Sequence, residues 1–448
     1  SYRDWRRPLT ARPLDALTLG YGPTVAMWAA GYLGRLPAVM LPSQIILLLF
    51  LACGFLCGAV AGMRVADPVR TGFLGGAVNG LLNLLILGSV LTQDERLVSL
   101  PAAALWIPGS ILGSALLVAA GAFAGRQFRD PGQPPVKAGP SRFVWVATSA
   151  TFLLLAVGGL VTSKQAGLAV VDWPNSYGYN MFLYPLSRMT GGIYYEHAHR
   201  LFGSLVGLTT VVMAWLLQRT DPRVWVRRVG WIAVVMVVIQ GILGGLRVTG
   251  SFTLSTAQED MAPSIVLALV HGVFGQLFFA TLVGLGVVTS RRWVNPSGCL
   301  SGDRRPSTAI LVGRILVSLM VVQLVLGALQ RHMEVLLWVH ITMASIIAPL
   351  AVGYGLRTWM LNPGHPVRRK VGLWLMGVTA TQVFLGISAF AGTILLQGDD
   401  SSSLFALTTA TAHQWCGALL FGFAVAALLW NGRSDQEDMN SPELVTEP

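Results

Sequence analysis

Apolar residues run in blocks of about 20 along nearly the whole chain, the length a helix needs to cross hydrocarbon. Twelve such blocks can be drawn, at approximately 17–34, 43–63, 72–92, 101–125, 143–163, 192–217, 224–246, 263–289, 308–330, 334–356, 369–395 and 405–430. The first is the weakest, short and rich in Gly and Pro, and reads as a crossing, a re-entrant or an interfacial segment. The clearest linker is the Pro- and Gly-rich basic stretch at 131–142, which has no apolar period. It divides about four N-terminal spans (1–130) from eight C-terminal ones. Residues 431–448 form a polar, acidic tail.

The eight-span part repeats internally. Alternate helices end in related residues: VGGLVTS (157–163), LGGLRVT (243–249), LGALQRH (326–332) and, more loosely, LGISAFA (385–391). A glutamine precedes the repeat glycine by four positions in three of them, at Gln240, Gln323 and Gln382. The intervening helices each carry a histidine, His199, His271, His340 and His413, at intervals of about 70 residues. The expectation is an all-α integral membrane protein. Its eight-helix core would form two pseudo-twofold-related four-helix bundles, 143–289 and 308–430, with the N-terminal spans added.

Composition sharpens the class. Of 448 residues, 54% are hydrophobic and 11% charged, against about 25% charged in soluble domains; mean hydropathy is +0.62. The net charge of +11 resides in alternate loops, around Arg3–Arg12, Arg126–Arg142, Arg219–Arg228, Arg291–Arg305 and Arg357–Lys370. The opposite loops carry Asp94, Glu95, Glu259, Asp260, Asp399 and Asp400. That asymmetry is the positive-inside bias. It puts both termini in the cytoplasm, predicts contact with anionic lipid, and implies no nucleic-acid partner. The four cysteines, Cys53, Cys57, Cys299 and Cys416, lie in helices or a cytoplasmic loop, so no outer disulfide is expected.

Counted inward from the outer loops, each of the four histidines lies about 8 residues deep, or about 12 Å. Ionisable groups inside a bilayer are rare and usually functional, and equal depth suits two bis-histidine heme sites. By chain order His199 pairs with His271 and His340 with His413. A small residue follows each histidine by four positions, leaving room for a flat macrocycle or for close helix packing. His197, His332 and His365 fit the pattern less well and read as interfacial or structural. Glu196 precedes His199 by three residues, on the same helix face. It is a candidate proton donor or acceptor, with a salt bridge to Arg200 or Arg247 as the structural alternative. Arg200, Arg247 and Arg331 near the outer face can pair with heme propionates or snorkel to the interface.

Glu-x-x-His-Arg at 196–200, DWP at 172–174, GGLRVT at 244–249 and HQW at 413–415 together resemble the heme A synthase family, over roughly 143–430. The resemblance implies oxidation of the C8 methyl of heme O, the substrate, to a formyl group through a hydroxymethyl intermediate. It implies that His199 and His271 flank that substrate with Glu196 as catalytic acid/base, and that His340 and His413 ligate a resident heme b that relays electrons. It further implies a bacterial plasma membrane location, heme O synthase as donor of substrate, and a terminal oxidase or its assembly factors as acceptor. Two features depart from the family: the 163–192 loop lacks the cysteine pair many members carry, and residues 1–130 lie outside the resemblance. The aromatic residues of that loop, Trp173, Tyr177, Tyr179, Phe182 and Tyr184, pack over a heme edge or lie in the headgroup belt. The competing expectations are a diheme b-type electron carrier linked to quinol, and a heme chaperone without catalysis.

Overall fold

The computed structural model describes residues 11–87, 92–93, 96–97, 100–132, 135, 139–249, 264–294, 307–395 and 400–433. Among these the chain is helical almost throughout: α1 (Ala11–Arg35), α2 (Ser43–Gly62), α3 (Pro68–Leu87), α4 (Leu100–Arg126), α5 (Pro140–Ser163), α6 (Gly191–Thr220), α7 (Val224–Thr249), α8 (Ile265–Val288), a single turn α9 (Arg291–Val294), α10 (Ser307–Met333), α11 (Leu337–Met360), α12 (Pro366–Phe390) and α13 (Asp400–Gly432). Two paired dipeptides, Thr92–Gln93 and Arg96–Leu97, are the only strands among the described residues. Eleven of the helices are long and apolar enough to cross a membrane, and the protein is a multi-pass, all-α integral membrane protein. Cys299, the acids Asp94, Glu95, Glu259, Asp260 and Asp399, the cations Arg3, Arg6, Arg7, Lys137, Arg304 and Arg305, and the tail from 434 lie outside the described residues.

The twelfth expected span corresponds to α1, which is a continuous 25-residue helix and is absent from the eleven. Its weak hydropathy has a physical reason: protein surrounds it. Tyr21, Thr24, Trp28 and Tyr32 are buried. Its neighbours are α2, α3 and α5. Asp15 pairs with Arg142 of α5 at 3.3 Å, and Tyr21 meets Phe143 edge-on at 5.1 Å. Tyr32 stacks on Tyr194 of α6, whose hydroxyl donates to the Tyr32 carbonyl at 2.5 Å. A helix enclosed this way needs no lipid-compatible exterior.

By contacts the chain forms two compact units, residues 1–267 and 268–448. The expected linker at 131–142 lies inside the first, and most of α8 belongs to the second. In the first unit a buried polar relay ties α1, α3 and α4: Thr24 donates to Asn79 at 2.7 Å, Asn79 donates to Ser114 at 2.8 Å, and the Trp28 indole donates to Asn83 at 3.1 Å. In the second unit α10, α11, α12 and α13 pack each against the next, with α13 returning to α10. Their core includes Leu316, Ala351, Tyr354, Leu375, Phe421 and Ala424, joined by Ala280 of α8. Buried Arg368 donates to the carbonyls of Trp430 and Arg433 at 3.1 and 3.4 Å, satisfying acceptors at the C-terminal end of α13.

Helices α2 and α4 meet backbone to backbone. A side chain at Gly58, Gly62, Gly121 or Gly125 would strike the main chain of the facing helix, and without a water-driven force between helices such close packing supplies the association energy. Gly125→Val is therefore expected to lower the melting temperature of the detergent-solubilised protein by several degrees. Gly109→Ala, on the same helix with open space around it, is expected to leave it unchanged; equal shifts would remove the close-approach argument.

Candidate functional site

The loop between α5 and α6 folds back over the start of α6 through two charged side chains. Arg200, the tenth residue of α6, donates to the carbonyls of Val170 (2.9 Å), Asp172 (2.6 Å) and Asn175 (2.9 Å), and to the Glu196 carboxylate at 2.7 Å. The second oxygen of Glu196 accepts the Val170 N–H at 3.0 Å. Glu196 is 4% exposed, so the ion pair is buried and both partners are saturated by the loop backbone, as buried charges require. Arg247 of α7 acts electrostatically on the same carboxylate, and its guanidinium lies against Gly167, where a Cβ would clash. Of the two bridges expected for Glu196, to Arg200 or to Arg247, the one to Arg200 is formed.

The DWP segment has a local purpose. Asp172, fully buried, accepts the N–H groups of Tyr177 and Gly178 at 2.6 and 2.8 Å. These two residues have φ of 50° and 79°, and Ser176 and Tyr179 exchange both backbone bonds at 2.9 and 3.0 Å. This is a two-residue hairpin turn of the type that needs left-handed backbone at both central positions. The Ser176 hydroxyl bonds Nδ1 of His197 at 3.0 Å, and Tyr184 packs on the same ring at 4.9 Å. The Trp173 indole lies on Gly245. The Tyr177 hydroxyl donates to the Ala169 carbonyl. Burial, then the nearby Glu196 and Asp172 carboxylates, raise its pKa above the ordinary tyrosine value, against a smaller opposing effect of Arg200; it stays a donor at neutral pH. His197 is thus structural, and Asp172, Ser176 and Arg200 hold the loop in ways the sequence did not disclose.

Three of the four repeat histidines, His199, His340 and His413, occupy a recurring setting. A Cβ at Gly158 would lie 3.0 Å from Cε1 of His199, one at Gly327 3.2 Å from Cε1 of His340, and one at Gly386 2.9 Å from Cε1 of His413. The repeat glycine of one helix therefore makes the flat seat for the imidazole of the next. His199 belongs to the first compact unit and His271 to the second; each is half-buried in its own helix.

His340 and His413 face each other across one bundle, ring centroids 6.3 Å apart and planes at 77°. Two metal–nitrogen bonds of about 2 Å, with about 1 Å from each nitrogen to its ring centre, set bis-ligated imidazoles about 6 Å apart. Nδ1 of His413 lies 3.2 Å from the Gln382 carbonyl, an acceptor only, so this nitrogen carries the proton and Nε2 keeps its lone pair. The Gln382 amide nitrogen sits 3.3 Å from that Nε2. Gln323 matches it, its amide nitrogen 3.0 Å from the His340 carbonyl and 3.4 Å from His340 Nε2. Arg331 is close enough to act electrostatically on His413. Among the described residues no group of three or more metal-binding side chains occurs, and a pair of opposed imidazoles suits a metal whose other ligands come with a macrocycle.

Removing one partner of a buried ion pair strands the other charge, at a cost of about 3–5 kcal/mol. Arg200→Ala is accordingly expected to release the loop, seen as trypsin cleavage after Lys164 or Arg188 at least tenfold faster than in the parent protein. Unchanged cleavage would mean that the clamp does not hold the loop. No protein-family model matches this sequence, and no curated protein matches it.

Proposed function

We propose that the protein is a heme A synthase, an oxidoreductase that converts the C8 methyl of its substrate heme O to a formyl group. The observation that carries this reading is the His340–His413 pair, whose 6.3 Å ring separation and fixed His413 tautomer fit axial ligation of one heme iron. A resident heme b held there would supply one-electron relay. The resemblance of the 196–200, 172–174, 244–249 and 413–415 motifs supports the specific chemistry, and by the same register His199 and His271 take the substrate.

The chain's own residues then divide the remaining work. Glu196, three residues before His199, exchanges a proton with the reacting end of the substrate; its hydrogen bond from Val170 and its pairing with Arg200 hold it in place. The loop clamped by Arg200 and turned by Asp172 covers this end and limits water. Arg200 directs its bonds to loop carbonyls and Glu196, which leaves Arg247 and Arg331 as the cations for propionates. Heme O synthase as supplier, a terminal oxidase or its assembly factors as recipient, cytoplasmic termini and a bacterial plasma membrane follow from the same proposal.

A diheme b-type carrier would use the His340–His413 pair equally well, so the chemistry must be tested at the product. Co-expression with a heme O synthase in a host lacking heme A, followed by mass spectrometry of extracted hemes, is expected to yield heme A or its hydroxymethyl precursor. Heme B beside untouched heme O would favour the carrier. Glu196→Gln, which preserves size and can still accept the Val170 N–H, is expected to retain heme while losing heme A formation by at least about 100-fold, within the span of a lost acid/base group. Wild-type product levels in this variant would remove Glu196 from the chemistry.

A further inference from the structure

The two imidazoles of the C-terminal bundle are not equivalent. His413 lies in the interior of a 33-residue helix, and its Nδ1 is held by the Gln382 carbonyl. A ligating imidazole that donates its second N–H to a carbonyl is oriented and made more basic, and losing such a partner costs about 10–100-fold in metal affinity. Nδ1 of His340 is buried and has no hydrogen-bond partner among the described residues. His340 also sits in the first turn of its helix, its own N–H bonded to Leu336 at 2.9 Å. The connection just before that turn holds two non-glycine residues in left-handed backbone, Glu334 at φ 57° and Leu336 at φ 63°, a conformation that side chains with a Cβ rarely adopt. Val335, Leu336 and Trp338 of this stretch are exposed, at 43%, 47% and 70%. Helix ends open more cheaply than helix interiors.

We propose that His413 is the firm axial ligand of this site and His340 the displaceable one, so that the heme iron accepts a small neutral π-acceptor ligand on the His340 side. The inference rests on the heme assignment above. In the exchange the iron–Nε2 bond of His340 breaks, a bond from the incoming ligand forms, and no electron or proton changes hands. The glycine seat at Gly327 and the Gln323 contact to the His340 backbone then keep the released imidazole nearby for return.

The test uses the full chain in a His199→Ala/His271→Ala background, which removes the other two repeat histidines. Reduced protein is exposed to carbon monoxide, and heme content and absorption spectra are recorded. The expected result is a carbon monoxide complex in this parent. The further His340→Ala variant is expected to keep heme within about twofold of the parent, to lose its low-spin six-coordinate spectrum, and to give the same carbon monoxide spectrum, because His413 stays opposite. The His413→Ala variant of the same parent, with His340 kept, is expected to lower heme content at least tenfold. A parent that retains heme but takes up no carbon monoxide overturns the inference. So does equal heme loss from the two histidine variants, or greater loss from His340→Ala. A parent that binds no heme overturns the functional reading itself. The carbon monoxide measurement needs neither of the last two substitutions, so a folding failure in either leaves the question decidable.

Discussion

A polar group carried into hydrocarbon must find a partner in the protein, and this requirement organises most of what is distinctive in the molecule. The Glu196–Arg200 pair is the clearest case: neither charge is left to lipid, and the carbonyls that saturate Arg200 belong to the very loop that has to be held down. Asn79 obeys the same rule in the N-terminal unit, where one amide joins Thr24 to Ser114 and so ties α1 and α4 to α3. Arg368 does it at the end of α13, where unpaired carbonyls and a cation have complementary needs. In each instance one side chain satisfies several groups from different elements.

Close approach is the second requirement, and glycine meets it in two ways. Between α2 and α4 the glycines admit the opposite backbone. In the eight-helix part the repeat glycines admit an imidazole ring, at Gly158, Gly327 and Gly386. What recurs is a seat for histidine, rather than histidine alone. The flat partner is present for His199, His340 and His413, and at both Gln323 and Gln382 an amide nitrogen faces Nε2 of the paired histidine.

What could be read from the sequence follows from how local each signal is. The eleven spans were legible because length and apolarity are properties of a single segment. The helix α1 was ambiguous because its environment is other protein: Asp15, Thr24 and Tyr32 are tolerable there only once α3, α5 and α6 surround them. The histidine register was visible, whereas the partners were not, since the Gln382 carbonyl becomes a second partner of His413 only when α12 and α13 are side by side. The DWP segment could be recognised as a motif without revealing that Asp172 caps a left-handed turn. Glu196 shows the competition most directly: it has His199 at i+3 and Arg200 at i+4, and spacing alone permits either. Charge decides for Arg200.

That decision constrains the chemistry. The Glu196 carboxylate is bonded on one oxygen by a guanidinium and on the other by a backbone N–H. For Glu196 to take the part proposed for it, one of these bonds has to yield when substrate arrives, and the Val170 bond is the less demanding to break because its donor is uncharged. Val170 lies in the loop that Arg200 also grips through the same residue's carbonyl. Movement at Val170 would therefore be felt by both sides of the clamp at once. The ion pair that holds the Glu196 carboxylate and the bonds that hold the loop thus share one guanidinium, and neither can be altered without the other.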